Sequence, residues 1–112
     1  MVAINLAEAV DVCQRAHGLP AADIRSALEP LLLSNALALA VSDETEAWLA
    51  AELRAKHYHR KQCPVSMADC FLLAHAIAAN DDLATSDPDV AVIARAEGVQ
   101  VIPLPDRSGA RP

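Results

Sequence analysis

Three acidic residues stand where helices are predicted to begin. Glu8 lies in the first turns of a helix predicted from Asn5, while Asp69 and Asp87 open two helices further along the chain. Each carboxylate has a local explanation, because an acid at a helix N-terminus accepts backbone N–H groups and is favoured by the helix dipole by about 0.3–1 kcal/mol. The three together favour a second interpretation, in which they share a divalent cation.

That second interpretation depends on the edge at which parallel strands end. Glu8 and Asp87 are predicted at strand-to-helix junctions, which share one edge of an open parallel sheet, and ligands typically bind there. Asp69 joins them if its helix begins over the same edge. Carboxylates brought so close repel one another unless a cation neutralises them. Oxygen ligands favour Mg²⁺ or Mn²⁺, and the chemistry indicated is phosphodiester hydrolysis with the metal activating water.

The stretch "ATSDPD" at 84–89 combines both interpretations. Asp87 suits an N-cap and Pro88 suits the first helical position, where a missing N–H costs nothing. A capping carboxylate can still direct its second oxygen to a metal ion. Asp87 is therefore predicted to cap by its position and to coordinate by its orientation.

Short apolar runs alternate with helical patterns along the chain. Helices between strands imply parallel pairing, since a parallel connection needs a crossover of about a dozen residues. The predicted fold class is a three-layer α/β/α fold with a parallel sheet. Strands are predicted at 2–4, 36–41, 83–85 and 99–104, and helices from Asn5 to Gly18 and at 20–33, 44–58, 67–79 and 88–97.

Local signals refine three of these helices. Pro30 is predicted to kink or interrupt the second helix. Two capping boxes are predicted, from Asp43 with Glu46 and from Ser66 with Asp69. The inward stripe of the third helix is predicted to be Ala47, Trp48, Ala51 and Ala55.

Composition excludes several function classes. The formal net charge of −6 disfavours a protein that coats nucleic-acid phosphates by charge alone, although a polyanion can still be approached through a metal. No apolar run is long enough to cross a membrane and no secretion signal is evident, so a cytoplasmic protein is expected. Cys13, Cys63 and Cys70 lack the spacing of a zinc site and are expected to be reduced.

The segment "VSMADCFLLAHAIAANDDLATSDPDVAVIARAEGVQVIPL" at 65–104 resembles the C-terminal half of PIN domains, in particular VapC-like toxins of type II toxin–antitoxin systems. In that family S-x-x-D-A-x-x-L-A-x-A leads to T-x-D-x-D, a helix, a glycine and a last strand. The segment "INLAEAV" at 4–10 resembles the family's N-L-x-E motif. The resemblance extends over 2–105, and the ordered set of motifs is more specific than any one of them.

The resemblance implies a Mg²⁺- or Mn²⁺-dependent ribonuclease. It makes Glu8, Asp69 and Asp87 the catalytic residues and metal ligands, with Asp89 a further possible ligand. Thr85 and Ser86 match the polar positions beside the last acid and become candidate substrate-binding residues. It also implies an RNA substrate, a cognate antitoxin and a homodimer.

The sequence departs from the family pattern at its N-terminus. Family members begin with a central strand that carries the first aspartate of the site, about 35–40 residues before N-L-x-E, and no such segment precedes Asn5 here. A start codon internal to a longer frame, a decayed toxin and a strand supplied by a partner chain are the competing explanations. We expect an N-terminally truncated PIN-like domain over 1–105 with impaired turnover, and a flexible tail over 106–112.

The segment "RAKHYHRK" at 54–61 gathers four cations, which are Arg54, Lys56, Arg60 and Lys61. They could hold RNA phosphates beside an acidic cleft, or simply complement the dipole at a helix C-terminus. Two rival functions stay open at this point. The chain could be a non-catalytic PIN-like interaction protein, or a small α/β domain whose carboxylates only cap helices.

Overall fold

The computed structural model describes residues 1–112, which form five helices and one pair of parallel strands. The chain divides into two compact units, Met1–Ser42 and Asp43–Pro112. The elements are α1 (Ala3–His17), α2 (Ala21–Leu33), α3 (Glu44–His57), α4 (Met67–Ala79), β1 (Leu83–Thr85), α5 (Pro88–Ala96) and β2 (Val101–Pro103).

The first unit contains α1, α2 and one parallel bridge between Val2 and Ala40. The Ala40 N–H donates to the Met1 carbonyl at 2.8 Å, and the Ala3 N–H donates to the Ala40 carbonyl at 3.0 Å. The strands predicted at 2–4 and 36–41 are therefore reduced to this bridge. A short apolar run does not distinguish a strand from the first turn of a helix, and here the helix begins immediately after Val2.

Both helices of the first unit end much as predicted, and α2 also begins within one residue of its predicted start, whereas α1 does not. The start of α1 at Asn5 is wrong, since the helix begins at Ala3 with Val2 as an N-cap that makes no side-chain hydrogen bond. Gly18 stops α1 in the left-handed conformation, at φ 65°. Helix α2 continues through Pro30 to Leu33, so the predicted interruption does not occur. Pro30 lies in the last turn, where its missing N–H removes only one helical hydrogen bond.

The second unit packs α3, α4 and α5 with the β1–β2 pair around one apolar core. The strands pair in parallel, with Leu83 opposite Val101 and Thr85 opposite Pro103. The largest fully buried side chains of this core are Leu73, Ile93, Val90 and Cys70. Burying each apolar side chain of this size contributes about 1.5–3 kcal/mol, so this core holds the strand ends and helix starts in place.

Helix α3 corrects two predictions, a capping box and the inward side of the helix. Asp43 caps it by accepting the Glu46 N–H at 2.8 Å, but Glu46 does not return the bond and instead meets His75 on α4 at 2.8 Å. The buried residues of the helix are Glu46, Ala50 and Leu53. The predicted inward stripe of Ala47, Trp48, Ala51 and Ala55 is therefore wrong, and Trp48 is 67% exposed.

The architecture agrees in part with the predicted fold class. The chain is α/β, its strand pair is parallel, and the helices predicted over 67–79 and 88–97 are present. Gly98 follows α5 with a φ of 78°, as its position predicted. The complete three-layer α/β/α arrangement stays a prediction, and so does the assignment of residues 1–105 to a single domain.

Candidate functional site

Asp87 is held by the turn between β1 and α5. Its Oδ1 accepts the backbone N–H groups of Asp89 at 2.8 Å and Val90 at 3.2 Å, which makes it the N-cap of α5. The buried Thr85 hydroxyl accepts the Asp87 N–H at 3.0 Å. These bonds fix the carboxylate through one oxygen, and its Oδ2 takes no part in them.

Asp69 is held in the same manner at the start of α4. Its Oδ2 accepts the Ser66 N–H at 3.2 Å and the Ser66 hydroxyl at 2.7 Å, while the Ser66 Oγ accepts the Asp69 N–H at 3.0 Å. This completes the capping box predicted from the sequence. As at Asp87, one carboxylate oxygen is committed to the helix and the Oδ1 is outside these bonds.

The acids of the second unit raise the pKa of two cysteine thiols. Burial raises the pKa of Cys63, and the charges of Asp89 and then Asp87 raise it further. Burial also raises the pKa of Cys70, to which the charge of Asp69 and the nearby Cys63 add, while Arg54 acts in the opposite direction. Asp89 and Asp87 therefore raise the pKa of the Cys63 thiol, whereas Asp69 raises that of the Cys70 thiol.

The cysteines were missed as members of this neighbourhood by sequence reasoning. Cys63 reaches it because the segment after α3 turns back, and Cys63 exchanges two backbone hydrogen bonds with His59, each of 2.9 Å. No spacing signal in the sequence marks that bridge. All three cysteines are free, as expected.

The other two predicted acids, Asp89 and Glu8, lie in different units of the chain. Asp89 lies in the first turn of α5, and Glu8 lies on α1 in the first unit. Nowhere in the chain do three or more His, Cys, Asp or Glu side chains gather in a geometry that could hold a metal ion. The donors themselves suit Mg²⁺ or Mn²⁺, since each capping acid keeps one oxygen outside its capping bonds and oxygen ligands are what these ions prefer.

Two of the four cations of the basic segment at 54–61 make contacts within the fold. The Arg54 Nε donates to the Val65 carbonyl at 3.3 Å and its guanidinium lies 4.5 Å from the centre of the Tyr58 ring. Lys56 pairs with Glu97 at 2.8 Å. The side chains of Arg60 and Lys61 make no ion pair, so these two are the candidates best suited to phosphate contact.

Two polar clusters outside the predicted site were also missed. Glu97 accepts from Lys56 and lies 2.7 Å from His57 Nε2, and these two hydrogen bonds lower the pKa of its carboxyl. Glu46 is 6% exposed, and its Oε2 is buried with no hydrogen-bond partner. The half-buried His75 is the partner of its other carboxylate oxygen, Oε1.

The fold and these acids define an α/β protein with carboxylates fixed at helix starts beside a parallel strand. The family model of the PIN domain matches residues 1–96, and the chain belongs to this family. PIN domains are generally nucleases, and they usually use divalent metal ions. Neither a curated protein nor a solved structure matches the chain significantly. No helix in the chain has both the length and the apolar character that a membrane crossing requires.

Proposed function

We propose that this protein is a VapC-like, metal-dependent ribonuclease of the PIN family. The observation that carries the proposal is the shared arrangement of Asp69 and Asp87. Both open a helix of the second unit, and both use one carboxylate oxygen for capping while the other oxygen stays outside the capping bonds. Family membership supplies the chemistry that such carboxylates perform.

In this proposal Asp69 and Asp87 are the metal ligands of the second unit, with Asp89 as a further ligand and Glu8 as the ligand contributed by α1. Ser66 and Thr85 are positioning residues, because their hydroxyl groups hold the two aspartates by hydrogen bonds. A bound Mg²⁺ or Mn²⁺ supplies activation of the attacking water and neutralisation of charge on the phosphate. The protein's own contribution is to fix carboxylate orientation before RNA arrives.

The residues proposed to contact RNA are exposed cations and polar residues near Asp87. Arg60 and Lys61 are exposed and would neutralise backbone phosphates, which contributes to affinity without reading sequence. Ser86 is exposed and stays a candidate for substrate contact. The Thr85 hydroxyl is buried and already accepts the Asp87 N–H. A cognate antitoxin and a homodimer belong to the same proposal through the family resemblance.

Replacement of Asp87 by asparagine tests this function. Asparagine is as good an N-cap as aspartate, so Asp87→Asn should leave α5 intact while removing a charged ligand oxygen. We expect slow Mg²⁺-dependent cleavage of RNA by the unaltered chain, because impaired turnover is expected from its sequence, and a further loss of at least about a hundredfold in the variant, in line with the loss of an electrostatic group at a catalytic centre.

The matched control is Asp23→Asn, which changes a carboxylate in the first turn of α2. This variant should cleave at the unaltered rate. Cleavage that survives Asp87→Asn, or that persists in EDTA, would contradict the metal site. A folded chain that binds an antitoxin but cleaves no RNA would support the non-catalytic alternative.

A further inference from the structure

The segment that joins α3 to α4 folds into a tight turn. His59 and Cys63 form an antiparallel bridge, in which the N–H of each residue donates to the carbonyl of the other at 2.9 Å. Arg60, Lys61 and Gln62 lie between them at the end of the turn, and all three are exposed. We call residues 59–63 the basic turn, because two of the four cations of the basic segment lie at its end.

The imidazole ring of His59 closes the basic turn. Its Nδ1 lies 3.2 Å from the backbone nitrogen of Lys61 and 3.0 Å from the backbone nitrogen of Gln62. Backbone N–H groups can only donate, so Nδ1 is the acceptor of both bonds and carries no proton. The ring is therefore neutral, with its proton on Nε2. It takes the place that the side-chain oxygen of Asn or Asp has in an Asx-turn.

The base of the basic turn is anchored in the core beside Asp69. Cys63 packs against the core cluster of the second unit, and Val65 is buried within it. The Arg54 Nε also donates to the Val65 carbonyl at 3.3 Å, which ties this segment to α3. The next residue, Ser66, holds the Asp69 carboxylate with its N–H and its hydroxyl. The basic turn is thus fixed a few residues from one of the proposed metal ligands.

The base of the basic turn also lies near the start of α5. Burial and the charges of Asp89 and Asp87 raise the pKa of the Cys63 thiol. Interactions between charges weaken with distance, so this effect indicates that the two carboxylates lie close to Cys63. At the exposed end of the turn, Arg60 and Lys61 make no ion pair. Two unpaired cations are therefore carried by a short turn whose base lies near the acids of both helix starts.

We propose that His59 is a positioning residue for RNA, which holds the basic turn in the shape that presents Arg60 and Lys61 to a backbone phosphate. An exposed segment that is flexible before binding loses conformational entropy when it closes on a ligand. The two hydrogen bonds to the His59 ring impose that order in advance, so less affinity is lost. The inference rests on the proposed function in one respect, which is that the ligand is RNA.

The test compares two substitutions of His59 in the full chain. Asparagine can accept the same two backbone N–H groups through its side-chain oxygen, whereas alanine cannot, and neither adds a charge. Binding of a short fluorescent single-stranded RNA is measured at low salt by anisotropy, with Ca²⁺ in place of Mg²⁺ to slow cleavage. We expect His59→Ala to weaken binding about fivefold and His59→Asn to stay within about twofold of the unaltered chain. His17→Ala, at an exposed histidine of α1, is the matched control and should bind RNA like the unaltered chain.

Two further measurements show whether His59 acts through the cations. By NMR, the amides of Lys61 and Gln62 should exchange with solvent faster in His59→Ala than in the unaltered chain and in His59→Asn. In a chain that already carries Arg60→Ala and Lys61→Ala, the additional change His59→Ala should not weaken RNA binding further, because residues that act as a unit are not additive.

The proposal is overturned if His59→Ala binds RNA as tightly as the unaltered chain, or if His59→Asn binds as weakly as His59→Ala. It is equally overturned if His59→Ala has the same effect with and without the two cations, or if the unaltered chain binds no RNA. Failure of the nuclease function is a different result. RNA binding that responds to His59 as expected, in a chain that cleaves no RNA in Mg²⁺, would support the positioning role and contradict the catalytic one.

Discussion

Asp69 and Asp87 show how one residue can serve both folding and chemistry. Each aspartate accepts two hydrogen bonds through a single oxygen, so the helix start and the carboxylate orientation are set together. Both capping roles could be predicted from the sequence because the motifs are local. The proposed catalytic role depends on neighbours that come from distant segments, and a local pattern cannot supply those.

The residues that sequence reasoning missed are those whose partners are remote. Glu46 is predicted to complete a capping box only three residues away, yet it bonds to His75 on another helix. Glu97 carries no motif, but packing brings it to Lys56 and His57. Such pairs depend on how helices pack against one another. A single sequence does not show which residues of two packed helices meet.

Glu97 gives a prediction about pH. Its pKa is lowered from its ordinary value near 4.5 by hydrogen bonds from Lys56 and His57. A lowered pKa in the folded state contributes stability above the ordinary pKa, and this contribution is lost as the pH falls through the folded value. Because Lys56 is 64% exposed, Glu97→Gln should cost only about 1 kcal/mol at pH 7, and the difference should fade below about pH 4.

Urea unfolding of both proteins across this pH range measures the effect. Glu52→Gln, which changes an exposed acid on α3, is the control and should leave the free energy of unfolding unchanged. A cost for Glu97→Gln that stays constant down to pH 3 would show that the carboxylate charge is not its source.

At the scale of elements, the helices predicted well are those with a sequence signal at both the start and the end. Helix α4 has a capping box at its start and Asn80 in the left-handed conformation at its end, and α5 lies between Asp87 and Gly98. The start of α1 was missed because Val2 is an N-cap without a side-chain bond. The buried side of α3 was missed because alanine fits either side of a helix, so Ala47 and Ala51 do not identify the inward one.

Ser66 gives a prediction for α4. Ser66→Ala removes the hydroxyl that donates to Asp69 and accepts its N–H, so the helix should lose about 1 kcal/mol of stability. The same change releases one restraint on the Asp69 carboxylate, so Mn²⁺ should also bind more weakly. Urea unfolding and calorimetry measure the two effects.

The control for this pair of measurements is Thr45→Ala, at an exposed position near the start of α3 that makes no capping bond. It should change neither quantity appreciably. Weaker Mn²⁺ binding by both variants, or by neither, would count against a positioning role for Ser66.

At the scale of the whole molecule, the α/β class and the family could both be predicted from ordered motifs. The matched region of 1–96 covers the predicted acids from Glu8 to Asp89. The number of strands could not be predicted, because the apolar runs at 2–4 and 36–41 contribute only the Val2–Ala40 bridge. Strand pairing depends on which segments lie side by side in the fold, and a local apolar run does not show this.

The proposal that Asp69 and Asp87 hold one divalent ion is tested most directly by Mn²⁺ titration of the isotopically labelled full chain, with paramagnetic broadening as the measurement. We predict that the signals of Asp69, Asp87 and Asp89 broaden together at low Mn²⁺ and that Asp87→Asn abolishes the effect. Broadening centred on Asp81 and Asp82 instead, or unchanged signals at Asp69 and Asp87, would contradict the proposal.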